Sequence, residues 1–163
     1  MSSLLSDITH LFHESQEKRL NRPFLKAAMA ACAMVSISEG EVQFCDRIRL
    51  DQILTTLDRL KIFDPHEGVE IFNYFTEKIK ISPKKGHDEA LAAVKKVATD
   101  KTTTELILRL CLAISLSSGK ASMVEQIEIV SLCSLLNVDA EVLGLDMQEL
   151  VTTIETSDDI KPV

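Results

Sequence analysis

Apolar residues recur at helical spacing along almost the whole chain. Near the N-terminus they fall at positions 4, 5, 8, 11 and 12, on one face of a helix that we predict over residues 3–19. Residues 24–37 are apolar almost all round, which predicts a central helix covered on every side. No stretch shows the sustained alternation of apolar and polar residues that is typical of strands. The pattern therefore predicts an all-α protein.

Start and stop signals divide this pattern into about seven to eight helices. Asn21-Arg22-Pro23 predicts a break between the first two helices, and Asp64-Pro65 predicts a capped start. Capping boxes at Thr102-x-x-Glu105 and Ser122-x-x-Glu125 predict two more starts. The predicted later segments are 44–61, 64–80, 83–97, 102–116, 122–136, a short piece after Asp139, and 146–154. We expect a single domain over 1–163, with its core at about 20–145 and an acidic C-terminal helix or tail at 146–163.

The chain carries a candidate internal repeat. A shift of 79 residues aligns 27–57 with 106–136 without a gap, and six of these 31 positions are identical, where ordinary composition would give about two. The two most apolar helices are equivalent in this alignment, and each is followed by a glycine turn. We therefore expect duplicated helical hairpins packed around two central apolar helices.

Composition narrows the choice of partners and compartment. The net charge of −7 and the absence of Trp disfavour nucleic acid and anionic membrane surfaces as partners. The acidity is local, because residues 139–163 carry a net −6 whereas residues 78–101 carry a net +4. No signal peptide or membrane span is evident, and the four cysteines form no Cys-x-x-Cys pair. We expect a cytoplasmic protein.

The sharpest local motif is the acidic turn around Gly40. Glu39 and Glu41 flank the glycine, and Asp46 falls in the first turn of the next predicted helix. Carboxylates on both limbs of a tight turn can converge on a hard cation such as calcium or magnesium. In the alternative interpretation Asp46 only caps its helix, and the two glutamates are merely solvated.

Two stretches, 24–35 (FLKAAMAACAMV) and 38–42 (SEGEV), carry a resemblance to a known family. They resemble the bacterial tellurite-resistance TerB family, whose domain also occurs in membrane-anchored DnaJ-type co-chaperones. The resemblance covers about residues 20–145. It implies an all-helical, duplicated, non-enzymatic domain that is associated with tellurite resistance or stress response and binds a divalent cation through its motif acids.

Carried over by position, the first acid of the family motif falls on Glu39, and on Ser118 in the second copy. The later acid falls on Asp46 and on Glu125. The candidate metal ligands are therefore Glu39, Glu41, Asp46 and Glu125. Because the second copy lacks one acid, we expect calcium or magnesium to bind more weakly here than in the family, or not at all.

A second functional interpretation stands beside this one. The protein would then be a metal-free helical interaction module that docks a partner protein through its acidic tail or through a lysine-rich face. The residues of that face are Lys78, Lys80, Lys84, Lys85, Lys95, Lys96 and Lys101. The sequence leaves the partner and a homo-oligomeric state open.

Overall fold

The computed structural model describes residues 2–145, and within them every regular element is helical. The six α-helices are α1 (Ser2–Ser36), α2 (Phe44–Thr56), α3 (Pro65–Ile81), α4 (Pro83–Val97), α5 (Lys101–Ser115) and α6 (Met123–Leu135), and a 3-10 helix follows at Ala140–Leu143. The all-α prediction is confirmed. Among residues 2–145, no helix combines the length and the hydropathy that a membrane span requires. The helix predicted at 146–154 lies outside the described residues.

Helix α1 runs without interruption through Pro23, so the predicted break at residues 21–23 is wrong. Proline has no N–H to donate to the Arg19 carbonyl, and such a loss inside a helix typically costs about 3 kcal/mol. The helix tolerates it because the residues that follow are packed in the core, and most helical stability in proteins comes from such packing. The two halves of α1 therefore share one helical register.

Side-chain contacts on both sides of Pro23 also hold α1 in place. The Asn21 amide donates to the Glu17 carbonyl at 3.1 Å, and its oxygen accepts from Arg59 Nε at 3.0 Å. The Arg59 guanidinium lies 3.8 Å from the centre of the Phe24 ring, a cation–π contact. Arg59 thus bridges the turn after α2 to the point where α1 enters the body.

The second half of α1 is the centre of the molecule. Apart from the exposed Lys26, residues 24–35 are at most 1% exposed, as their all-round apolar pattern predicted. This half packs chiefly against α4, α3 and α5. Helix α5 is buried on one side only, since Arg109 is exposed and Leu112 is half-buried. Within the described residues, the second half of α1 is therefore buried on every side, whereas α5, the second predicted central helix, is buried on one side.

The observed helix starts confirm three of the predicted caps and contradict one. Asp64, Ser122 and Asp139 each accept a backbone N–H at the start of their helices, which confirms those three caps. The predicted start of α5 at Thr102 is wrong, because Asp100 accepts the Thr103 N–H at 2.8 Å and the helix begins one residue earlier. Helix α2 ends at Thr56, so the prediction that it continues to residue 61 is wrong. Residues 57–61 form turns instead.

The two glycine hairpins correspond position by position. Helices α2 and α6 begin and end 79 residues apart, and each spans 13 residues. The Gly40 N–H donates to the Ile37 carbonyl, and the Gly119 N–H donates to the Leu116 carbonyl, both at 2.9 Å. Both glycines have positive φ, +98° and +97°, a backbone conformation that side chains other than glycine rarely adopt. The same turn is thus built at two places in the chain.

Candidate functional site

Asp46 lies at the start of α2, where the sequence placed a candidate metal ligand. It is 5% exposed, and both of its carboxylate oxygens have protein donors. Oδ2 accepts the Gln43 N–H at 3.3 Å, which closes a capping box, and Oδ1 accepts the Ser117 hydroxyl at 2.6 Å. The bond to Gln43 caps α2, as the capping interpretation predicted. The bond to Ser117 links the two hairpins.

Glu125 occupies the equivalent position at the start of α6. It is 9% exposed, and its N–H donates to the Ser122 hydroxyl oxygen at 3.2 Å. Burial raises the pKa of its carboxyl group, and the negative charges of Glu39 and Asp46 add to that effect against the hydrogen bonding from Ser122. Glu39 and Asp46 therefore each lie within electrostatic range of Glu125.

The remaining acidic residues of the motif are solvated. The side chains of Glu39 and Glu41 are exposed, and neither forms a hydrogen bond or an ion pair within residues 2–145. No group of three His, Cys, Asp or Glu side chains in the described part of the chain is arranged to hold a metal ion. Glu39 and Asp46 thus act on Glu125 electrostatically, but the described residues form no ready coordination shell.

The predicted lysine-rich face is divided between the two ends of α4. Lys80 and Lys84 line a concavity of about 720 Å³ beside the Gly40 turn, whereas Lys96 lies at the other end of α4. Twelve helical residues, about 18 Å, separate Lys84 from Lys96. Lys78 forms an ion pair with Glu89 at 3.1 Å. The lysines of α4 therefore form two groups, one at each end of the helix.

A second concavity lies where α1, α3 and α4 meet. We call it the cationic groove; its volume is about 560 Å³. Its apolar lining comes from Ile71, Tyr74 and Phe75 of α3 and Ala93 of α4. Four cations, one acid and Pro23 complete the lining; the charged residues are Arg19, Arg22, Lys26, Lys96 and Glu70. An apolar floor with a positive rim suits an acidic amphipathic ligand.

Three of the four cations on the rim form no direct ion pair within the described residues, although Glu70 lines the groove and Glu89 acts on Lys26 electrostatically. Arg22 pairs with Glu67 and also lies over the Phe63 ring, 5.4 Å from its centre. Arg19, Lys26 and Lys96 form no ion pair within the described residues 2–145, and all three are exposed. Three exposed cations of the groove therefore have no direct carboxylate partner in the described part of the chain.

The N-terminal part of α1, residues 3–20, stands away from the core, and we call it the arm. Its residues are exposed or half-buried on all sides. Its large apolar side chains are between 55% and 76% exposed: Leu4, Leu5, Ile8, Leu11, Phe12 and Leu20. An amphipathic helix that exposes its apolar stripe in this way is typical of a docking element.

The apolar stripe and the cationic groove lie on the same face of α1. At 100° per residue, positions 4, 5, 8, 11 and 12 fall in the same sector, about 120° wide, as the groove residues 19, 22, 23 and 26. This common sector depends on the helix continuing through Pro23. We call it the docking face. It is apolar over the first turns of α1 and positively charged over the turns that enter the body.

Sequence analysis found the apolar stripe but missed the groove. The groove is built from three helices, and the expected break at Pro23 separated its α1 residues from the arm. Comparison of the chain with protein-family models, with curated proteins and with solved structures finds no match. The candidate function is therefore argued from the geometry of the docking face.

Proposed function

We propose that the protein is a non-enzymatic, TerB-like helical module that binds an amphipathic helix of a partner protein along its docking face. The single observation that carries this proposal is the common sector of the apolar stripe and the cationic groove on α1. A partner helix that lies along this face contacts apolar side chains at the arm and positive charges at the body.

The apolar half of the face favours a helical partner. The spacing of Leu4, Ile8 and Leu11 is the three- and four-residue spacing by which helices pair. Full burial of each such side chain contributes about 1.5 to 3 kcal/mol. Five of them in one stripe supply a substantial driving force for association.

The charged half of the face favours an acidic segment in that partner. Lys26 and Lys96 approach the groove from α1 and α4, on its two sides, and neither forms a direct ion pair with a carboxylate within residues 2–145, although Glu89 lies within electrostatic range of Lys26. Acidic side chains at both borders of a docked helix would pair with them. Such complementary charges raise the association rate and set the direction of docking.

The resemblance to the TerB family and the repeated hairpin support the proposal for the body of the protein. We propose that the hairpins α1–α2 and α5–α6 arose by internal duplication, because their helix bounds and glycine turns correspond at a constant shift of 79 residues. A role in tellurite resistance or stress response is what the resemblance implies. Weak binding of calcium or magnesium beside the Gly40 turn belongs to the same proposal.

The proposal is tested by affinity enrichment with matched variants of the full chain. An arm variant carries Ile8→Asp with Leu11→Asp, a groove variant carries Lys26→Glu with Lys96→Glu, and a control carries Lys84→Glu with Lys85→Glu at the opposite end of α4. We expect at least one protein to be enriched by the wild type and the control and lost, by about tenfold or more, from both other variants. The same set of proteins bound by all four chains would contradict the proposal.

A further inference from the structure

The described part of the chain ends at the same end of the molecule as the cationic groove. The 3-10 helix after α6 lies beside the α4–α5 connection, where Val142 and Ala98 line one crevice. Arg109 Nη2 of α5 also lies 3.5 Å from the Val142 carbonyl oxygen. Lys96, on the rim of the cationic groove, is only two residues before Ala98.

The 18 residues that follow, 146–163, are long enough to fill the groove. A helix over residues 146–155 spans about 15 Å, and the eight residues that follow it reach about 26 Å if extended. The groove is lined by about two turns of α1, by fewer than two turns of α3 and by about one turn of α4. A helix of this length therefore spans the groove.

The residues of this segment complement those of the groove. Met147, Leu150, Val151 and Ile154 have the spacing of one helical face, and at 100° per residue Asp146 and Glu155 fall at its two borders. The segment as a whole carries five acids against Lys161. An apolar face with acidic borders matches an apolar floor whose rim carries cations from α1 on one side and from α4 on the other.

We infer that the C-terminal segment 146–163 of the same chain occupies the cationic groove when no partner is bound. This inference rests on the proposed function, because it makes the docking face a regulated site. A tethered segment acts at a high effective concentration, of the order of millimolar for a short linker. A partner must therefore displace it from the groove, while the apolar stripe of the arm remains accessible for the first contact.

The test is hydrogen exchange of the full chain, measured by mass spectrometry at low ionic strength. In the wild type we expect amides of residues 147–155 to exchange about tenfold or more slowly than in an unstructured chain. The groove variant Lys26→Glu with Lys96→Glu, and a segment variant Asp146→Lys with Glu155→Lys, should both lose this protection. The chain that combines all four substitutions should regain the protection, because the groove then carries the negative charges and the segment carries the positive charges.

Three results would overturn the inference. The first is no protection of residues 147–155 in the wild type, and the second is protection that persists in the groove variant. The third is protection that disappears on dilution, because it would assign the groove to the segment of a second copy. The control Lys84→Glu with Lys85→Glu should leave the protection unchanged, and circular dichroism confirms that each variant folds.

Failure of this inference can be distinguished from failure of the proposed function. The arm variant Ile8→Asp with Leu11→Asp leaves the segment and the groove intact, and it reports on partner binding alone. An unprotected segment together with partner loss in the arm variant would contradict only the occupancy of the groove. A protected segment with no partner loss in that variant would contradict only the proposed function.

Discussion

The Ser117 hydroxyl donates to Oδ1 of Asp46 at 2.6 Å, although the two residues are 71 positions apart. The bond joins the glycine turn after α5 to the first turn of α2, and so it connects the two hairpins. At the corresponding place in the first hairpin, the Ser38 hydroxyl donates to the Val35 carbonyl at 2.6 Å instead of to Glu125. The two hairpins thus have the same backbone conformation, but Ser117 binds the other hairpin whereas Ser38 binds its own.

Removing the Ser117 hydroxyl should destabilise the protein. In Ser117→Ala the buried Asp46 carboxylate loses one of its two donors, and we expect the free energy of unfolding to fall by about 1 to 2 kcal/mol. Ser118→Ala is the matched control, because Ser118 is exposed, and its effect should stay within about 0.5 kcal/mol. Urea denaturation measures both variants; equal effects would contradict the role of this hydrogen bond.

Replacing Glu125 by glutamine should change how stability depends on pH. The pKa of Glu125 is raised above its ordinary value of 4.5, so the folded protein holds this proton more tightly than the unfolded chain does. As the pH rises from about 4.5 to the folded-state value, the wild type therefore loses stability. Glu125→Gln lacks this loss, and we expect it to be the more stable protein at neutral pH.

Thermal unfolding between pH 4 and pH 8 tests this expectation. The wild type should lose stability relative to Glu125→Gln as the pH rises, and the difference should then become constant. Glu77→Gln, at an exposed position of α3, serves as the control and should follow the wild type across the whole range. A wild type that gains stability relative to Glu125→Gln would contradict the raised pKa.

Alanine in place of either turn glycine should have the same effect. A Cβ atom at Gly40 or Gly119 would meet nothing within 4 Å, so the cost comes only from the positive φ. We expect Gly40→Ala and Gly119→Ala each to lower the free energy of unfolding by about 1 to 2 kcal/mol. Costs that differ by more than about 1 kcal/mol would show that the two turns are not equivalent.

Divalent cations should bind only weakly near the Gly40 turn. Both oxygens of Asp46 already have protein donors, so Glu39, Glu41 and Glu125 are the available carboxylates. Because calcium sites with few charged ligands bind weakly, we expect a dissociation constant for calcium of about 1 mM or higher. Calorimetric titration of the wild type against Glu39→Gln with Glu125→Gln measures this binding, and micromolar affinity would contradict the geometry described here.

Local patterns predicted the helices well, but contacts between distant residues could not be predicted. The positions of the apolar residues located the buried half of α1, and the caps at Asp64 and Ser122 marked helix starts, because these signals lie within a few neighbouring residues. The continuation through Pro23 could not be inferred, since it depends on packing by other helices. The contact between Ser117 and Asp46 was missed for the same reason.

Site-specific photo-cross-linking tests the docking face most directly. A photoreactive phenylalanine analogue is placed at Ile8, on the docking face, and in a separate chain at His10, which is exposed about 160° away around the same helix. The account predicts that Ile8 forms a covalent adduct with a distinct partner protein in cells and that His10 does not. The same adducts from both positions, or none from Ile8, would contradict it.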